Sequence, residues 1–372
     1  MLEIVEVKTG KDFRNFLKFP QELYSDVLGD KRYVMPLMAI TRIQIGSYKN
    51  PNIKMLLAMD SMKVIARLGV KKHGHGIHEK LHFGFFESLP NRPDIVQALF
   101  DYAQNLFPHL QLIGPYNFRM EDPYMGVLVD GHQHHPYFLM SYNPDYYQSY
   151  FEKMGFHSEM DVLAYDVKHD QKLPESLYQK ASESEMAGFR VRWMTARSMK
   201  KDVQSIARIF NDALADNWGF EALNKSQLNE MYLMFKFFIE PDLVSFVQKD
   251  GKDVACLIMI PNYNALLKQV NGHLTFRLVW DLLFKRHKPD SIRGYALGVL
   301  KSYHQQGLGS LLVTKTWDKC VQHRGMKNAE ISWVLANNES MNKLTLQMGG
   351  KPNRRYRVYS RPALVPPLKE SL

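Results

Sequence analysis

Cysteine is nearly missing from this chain: Cys256 and Cys320 are the only two in 372 residues, far apart and each inside an apolar periodic segment. That excludes a disulfide framework and a cysteine-rich metal centre, and reads as two buried hydrophobes in a reducing compartment. Uncharged apolar runs of the ~20 residues needed to span a bilayer are missing as well. So is a targeting signal: Met1 to Phe16 mixes Glu3 and Glu6 with lysines, which is neither the basic-then-apolar order of a signal peptide nor an acid-poor transit peptide. The expectation is a cytoplasmic protein with no membrane partner that opens on a β-strand.

Long polar tracts are also scarce, and with 45% hydrophobic and 23% charged residues both halves can build cores. The length exceeds what one core usually supports, which predicts two domains. A net charge of +10 is spread widely, with concentrations at Lys285-Arg286-His287-Lys288 and at Arg354, Arg355, Arg357 and Arg361. Such a surface attracts any phosphate-bearing partner, so it does not separate nucleic acid from a small cofactor. Histidines cluster at His73, His75 and His78 and again at His132, His134 and His135, but neither group has the spacing of a zinc motif. No metal is expected.

The least hydrophobic interior stretch is Asp166 to Gly188, which predicts a boundary between domains at 1–168 and 188–372, with 169–187 as a linker that carries a short exposed helix after Pro174. After it the pattern reads as strand 189–194, helices 200–215 and 226–238, and strands 243–248 and 254–260 joined by a turn at Asp250-Gly251. An irregular insertion at 261–288 follows, then strand 294–300, helix 307–323, strand 329–335, a helix from Asn338 and a last strand at 354–360. The first half repeats a similar order. The fold class is therefore α/β with a mixed sheet, built as a tandem repeat.

Tyr295 to Ser310 runs from an apolar strand through a turn into an amphipathic helix that carries Gly307 and Gly309. Unpaired N–H groups at a helix start, approachable because two glycines lack Cβ, bind phosphate; an ordinary strand-to-helix turn has the same appearance.

His304-Gln305-Gln306-Gly307-Leu308-Gly309 resembles the (Gln/Arg)-x-x-Gly-x-(Gly/Ala) loop of the GNAT N-acetyltransferase superfamily except at its first position. Asn338 to Gly350 is similar to that superfamily's Asn-x-x-Ala-x-x-Leu-Tyr-x-x-Leu-Gly-Phe, and Tyr150 to Phe156 carries its strongest form in the first half. Further segments, among them Gly114 to Phe118, Tyr142 to Tyr147, Asn211 to Phe220 and Ser332 to Leu335, extend the resemblance over nearly the whole chain, to a bacterial family of tandem GNAT proteins.

The resemblance implies acetyl-CoA, or another acyl-CoA, as co-substrate. Its pantetheine arm would pair with the backbone of Leu297, Gly298 and Val299, and its pyrophosphate would meet the amides of Gln305, Gln306, Gly307, Leu308, Gly309 and Ser310. Gly298 inside a strand permits close approach of a ligand, or marks a bulge. His304 stands where the superfamily has a fixed hydrogen-bonding or charged group. Asn338 either bonds the pantetheine arm or caps its helix. Thr345 replaces the tyrosine that often protonates the leaving thiolate, and a helical threonine tends to bond back to its own backbone. Tyr356 and Tyr359 are candidate substitutes and Glu330 a candidate general base, while Asp216 reads as a surface charge. In the first half, Glu87 to Asp94 lacks Gly-x-Gly and carries Pro90 and Pro93, so that copy is expected to bind no acetyl-CoA and to close the cleft or mediate a homodimer.

Three functions remain open in the sequence: an acyl-CoA-dependent N-acyltransferase acting on a small-molecule or peptide amine, an aminoacyl-tRNA-dependent transferase of the same fold, and a non-catalytic acyl-CoA-binding module.

Overall fold

A computed structural model describes residues 2–46, 49–74, 79–118, 123–168, 170, 172–284 and 289–365. In chain order the elements of the first half are β1 (Leu2–Glu6), α1 (Gly10–Gln21), α2 (Met38–Ile45), β2 (Ile53–Asp60), β3 (Lys63–His73), β4 (Lys80–Ser88), α3 (Pro93–Asn105), β5 (Gln111–Gly114), β6 (Val127–Asp130), α4 (Tyr146–Lys153) and β7 (His157–Lys168). Those of the second are α5 (Glu175–Met186), β8 (Arg190–Trp193), α6 (Met199–Ala213), α7 (Lys225–Phe238), β9 (Val244–Lys249), β10 (Lys252–Pro261), α8 (Asn264–Val270), α9 (Phe276–Leu283), β11 (Ser291–Val299), α10 (Leu308–Asp318), β12 (Asn328–Leu335), α11 (Glu339–Gln347) and β13 (Lys351–Arg361).

The chain divides into two compact units, one made of Met1–Val162, Leu267–Leu274 and Arg354–Leu372, the other of Leu163–Leu266 and Thr275–Asn353. The division differs from the one the sequence suggests, because most of β13 counts with the first unit and the second half of β7 with the second. A strand's own alternation does not reveal which sheet it will join. Residues 169–187 are also more than a linker: α5 buries Leu177 and Ala181 in the core of the second unit.

In the first unit the strands run β1-β2-β3-β4-β5-β13, with β6 also on β13. One face carries α3 and α4 over an aromatic core of Phe83, Phe100, Phe151 and Phe156; the other carries α1 through Phe16 and Leu17. In the second unit the order is β7-β12-β11-β10-β9-β8. There the alternation of β10 and β11 puts Leu257 and Leu297 against Leu311 and Leu312 of α10, while Gly298 abuts α6 on the opposite face. The Asp250-Gly251 turn adopts positive φ at both residues, 50° and 73°, as a tight hairpin requires.

Candidate functional site

The site of the second unit starts where two parallel strands part. β11 and β12 pair from Ser291↔Asn328 to Gly294↔Ile331 and the described ladder ends there, although β11 runs on to Val299 and β12 to Leu335. A bulge fixes the point of parting: β10 pairs Ile258 with Ala296 and then Met259 with Gly294, so Tyr295 is the extra residue. Past the bulge, the Leu300 N–H bonds the Val254 carbonyl at 2.9 Å. By the alternation of an antiparallel ladder, the backbone groups of Leu297 and Val299 therefore point away from β10, into the opening. An extended chain entering there would meet a strand edge.

Gly298 is closely approached on one face. A Cβ on it would lie 2.8 Å from Phe210 Cδ1 and 3.1 Å from Ile209 Cγ2, so its missing side chain makes room for α6.

The opening ends at the turn into α10. Gly307 is the N-cap, left-handed at φ 74°, and Gln305 is also left-handed at φ 64°. The first N–H groups of α10, from Leu308, Gly309 and Ser310, have no partner within the helix. A Cβ on Gly309 would meet nothing nearer than Leu344 Cδ2 at 3.5 Å, an ordinary contact. Loop and helix start thus have the form of an anion cradle. On its other side the turn is held by α5, where Ser184 Oγ donates to the Gln306 carbonyl at 2.7 Å.

His304 turns back onto the strand. Its Nε2 lies 3.0 Å from the Val299 carbonyl. A carbonyl only accepts, so Nε2 carries the proton, and the ring straps the loop to the end of β11.

Asn338 caps α11, its side chain accepting the Met341 N–H at 3.0 Å. Asn342, absent from the sequence reading, braces the same turn: its amide nitrogen donates to the Leu335, Ala336 and Asn338 carbonyls, and its oxygen accepts from Tyr165 at 2.7 Å. Thr345 is fully buried and its hydroxyl donates to the Met341 carbonyl at 2.8 Å. The hydroxyl is thus spent on its own helix.

Glu330 is also fully buried. Its Oε1 accepts from Ser332 Oγ at 2.7 Å, and Ser332 Oγ accepts from Nε of the equally buried Arg293 at 2.8 Å, with Arg293 Nη2 on the Ser332 carbonyl at 3.1 Å. Arg293 and Glu330 are register partners, so this chain of bonds crosses the two strands just before they part. Its guanidinium also lies 5.3 Å from the Tyr295 ring and 5.0 Å from that of Trp333. Asp216 is an exposed surface charge paired with Lys301 at 2.6 Å.

Tyr356 and Tyr359 belong to the first unit. Tyr359 pairs with Gly114, stacks on Phe151 at 5.1 Å, and burial pushes its hydroxyl up to about 12. Both are buried on β13.

The first unit repeats the strand opening and fills it. β4 and β5 pair only from Lys80↔Gln111 to His82↔Ile113. Beyond that, residues 116–117 fold back onto β4: the Tyr116 N–H donates to the Phe83 carbonyl at 2.9 Å, and Asn117 Oδ1 accepts the Phe85 N–H at 3.2 Å. A Cβ on Gly84 would overlap the Tyr116 carbonyl. At the loop, the Tyr147 hydroxyl accepts the Ser88 N–H at 2.8 Å and the Tyr150 hydroxyl accepts the Arg92 N–H at 3.1 Å. Here the chain itself supplies what a ligand would otherwise supply.

Glu87 is buried under this loop. It accepts from Tyr147 at 2.7 Å and Tyr24 at 3.0 Å, with Arg67 at 4.0 Å, and desolvation raises its pKa to about 7.

Among the described residues no group of three or more His, Cys, Asp or Glu is placed to hold a metal, and no helix is long and apolar enough to cross a membrane. His75, His78 and the cluster 285–288 lie outside the described residues.

Residues 206–349 match a family model described as acetyltransferase (GNAT) family. The chain is similar to a protein named bacterial ceramide synthase from Caulobacter vibrioides (strain NA1000 / CB15N), with 25% identity over 381 aligned residues that cover 97% of each. It is also similar to Protein YghO of Escherichia coli (strain K12), 24% identical over 94% of this chain and 93% of that one. Among solved structures, a tandem GNAT protein from the clavulanic acid biosynthesis pathway superposes with a TM-score of 0.57 over 98% of this chain and 99% of its own, at 11% identity. That likeness bears on the fold, a mixed α/β tandem of two such domains.

Proposed function

We propose, from the premise that residues 206–349 form a domain of the acetyltransferase (GNAT) family, that the chain is an acyl-CoA-dependent N-acyltransferase with its acyl-CoA site in the second unit. The observation that carries this reading is the parting of β11 from β12, with the Leu297 and Val299 backbone facing the gap and the gap ending on the Gly307 cap of α10. An acyl-pantetheine arm is an extended amide chain, and a strand edge pairs with such a chain. The α10 start offers N–H donors and a positive dipole end for the diphosphate.

Amine nitrogen attacks the thioester carbonyl, the C–S bond breaks, and an amide and the CoA thiol result. Strand N–H groups that face the gap favour the charge that builds on the carbonyl oxygen. Thr345 takes no part in proton transfer in this reading, and the bonds from Arg293 through Ser332 to Glu330 hold the strands at the angle that opens the gap. A ceramide is an amide of a long-chain amine, so the similarity to a ceramide synthase favours a long-chain amine as acceptor and a fatty acyl-CoA as donor. The two backbone donors satisfied by tyrosine hydroxyls and the refolded 116–117 segment favour a supporting role for the first unit.

Isothermal titration with acetyl-CoA and palmitoyl-CoA tests the site. The wild type should bind and Gly309→Glu should not, since the new carboxylate enters the cradle at a position with room for a side chain. Thiol release with a long-chain amine then tests turnover. A wild type that binds neither thioester would sink the proposal.

A further inference from the structure

The insertion between β10 and β11 ends in α9, N-capped by Thr275, whose Oγ1 accepts the Leu278 N–H at 3.2 Å. Its inner side buries Leu278 and Leu282, and the helix packs on α7. Its outer side does the reverse of what a soluble helix does. Phe276, Trp280 and Phe284 recur every fourth residue and are 80%, 42% and 59% exposed. They form a continuous row, with ring centroids 5.9 Å apart between Phe276 and Trp280 and 4.3 Å apart between Trp280 and Phe284. On α7, Tyr232 and Leu233 are exposed as well. Scattered apolar residues on a surface need no explanation, but a stacked row does.

Exposed cations flank the row, with the less exposed carboxylate of Asp281 among them. Arg277 projects from the same helix with its side chain 87% exposed and lies 3.8 Å from Asp281. Lys236 of α7 is exposed, and in sequence the row leads straight into Lys285, Arg286 and Lys288, which lie outside the described residues. Aromatic side chains that insert at the headgroup level beside cations are the chemistry of an interfacial helix on anionic lipid.

We infer that the outer edge of α9 docks on an anionic lipid surface, so that the acceptor amine reaches the second unit from a membrane and not from bulk water. This departs from the expectation of no membrane partner, which rested on the lack of a spanning segment and says nothing of a helix lying in the interface. The inference rests on the acyltransfer reading only for the nature of the acceptor; the docking itself is measured without substrate.

Cosedimentation of the full chain with phosphatidylcholine vesicles, with and without phosphatidylglycerol, tests it. The wild type should bind the anionic vesicles and bind less at high salt. Trp280→Ser combined with Phe276→Ser and Phe284→Ser should weaken binding roughly tenfold or more, and Arg277→Glu alone roughly fivefold. All four residues are exposed, so the variants should keep the wild-type circular dichroism and the wild-type affinity for acyl-CoA. No vesicle binding by the wild type overturns the inference. So does light scattering that shows a wild-type dimer split by the aromatic substitutions, which would assign the row to a second copy. Vesicle binding without acyl-CoA binding would instead overturn the acyltransfer reading and leave the docking intact.

Discussion

The Ser184 hydroxyl donates to the Gln306 carbonyl at 2.7 Å and so fastens α5 to the turn that starts α10. The closeness of α5 leaves Gly307 no space. A Cβ there would lie 2.8 Å from Ser184 Oγ and 3.1 Å from the Lys180 carbonyl, on a backbone already left-handed at φ 74°. Gly307→Ala should therefore destabilise the protein by about 1–3 kcal/mol from backbone strain and overpacking. Gly309→Ala, in α10 and meeting only an ordinary contact with Leu344 Cδ2 at 3.5 Å, should be neutral or stabilise by up to ~1 kcal/mol. Thermal melting of the two variants side by side checks this, and equal melting temperatures would contradict the packing argument.

Thr345 sits where the superfamily often has its tyrosine, but its hydroxyl is engaged by the Met341 carbonyl at 2.8 Å in a fully buried environment. Thr345→Val keeps the shape and removes that bond, at a stability cost of about 1 kcal/mol. Steady-state turnover should stay within about twofold of the wild type. A general acid would show a loss of roughly 10²–10⁴.

Arg293 Nε donates to Ser332 Oγ, which donates to Glu330 Oε1, and both Arg293 and Glu330 are fully buried. Glu330→Gln leaves the guanidinium beside a neutral amide, a change that typically costs about 3–5 kcal/mol. The expected result is a lower melting temperature, with the folded fraction keeping the acid limb of its kcat/KM pH profile. Loss of that limb with stability unchanged would assign Glu330 as the base after all.

Much of this arrangement was legible in the residues. Apolar alternation located β10 and β11 to within a few residues, Asp250-Gly251 announced the hairpin, and the tendency of a helical threonine to back-bond anticipated Thr345. What escaped were contacts without a period. Tyr116 and Asn117 pair with β4 from an irregular segment, which no alternation marks. Gly298 gave a correct signal of close approach, but what approaches is Phe210, far away in sequence. The aromatic row of α9 was hidden because Leu278 and Leu282 on its inner side and Phe276 and Trp280 on its outer side blur the polar face that marks a surface helix.

Glu87 ties the first unit to pH. Its pKa is raised to about 7 from an ordinary 4.5, chiefly by desolvation and against the opposing pull of Arg67 and the two tyrosine bonds. Below the unfolded value both states hold the proton and the group is neutral to stability. Between about 4.5 and 7 the unfolded chain releases a proton that the folded one keeps, so the stability of the first unit should fall as pH rises through that window and level off above it. The full span corresponds to about 3 kcal/mol, as an order of magnitude. Glu87→Gln retains an oxygen that accepts from Tyr147 and Tyr24 and has no proton to lose. Its melting temperature should therefore vary less between pH 5 and pH 8 than that of the wild type, in buffers matched for ionic strength. If the wild type instead gains stability across that range while Glu87→Gln does not, the buried carboxylate is favoured in its charged form and Arg67 outweighs its desolvation.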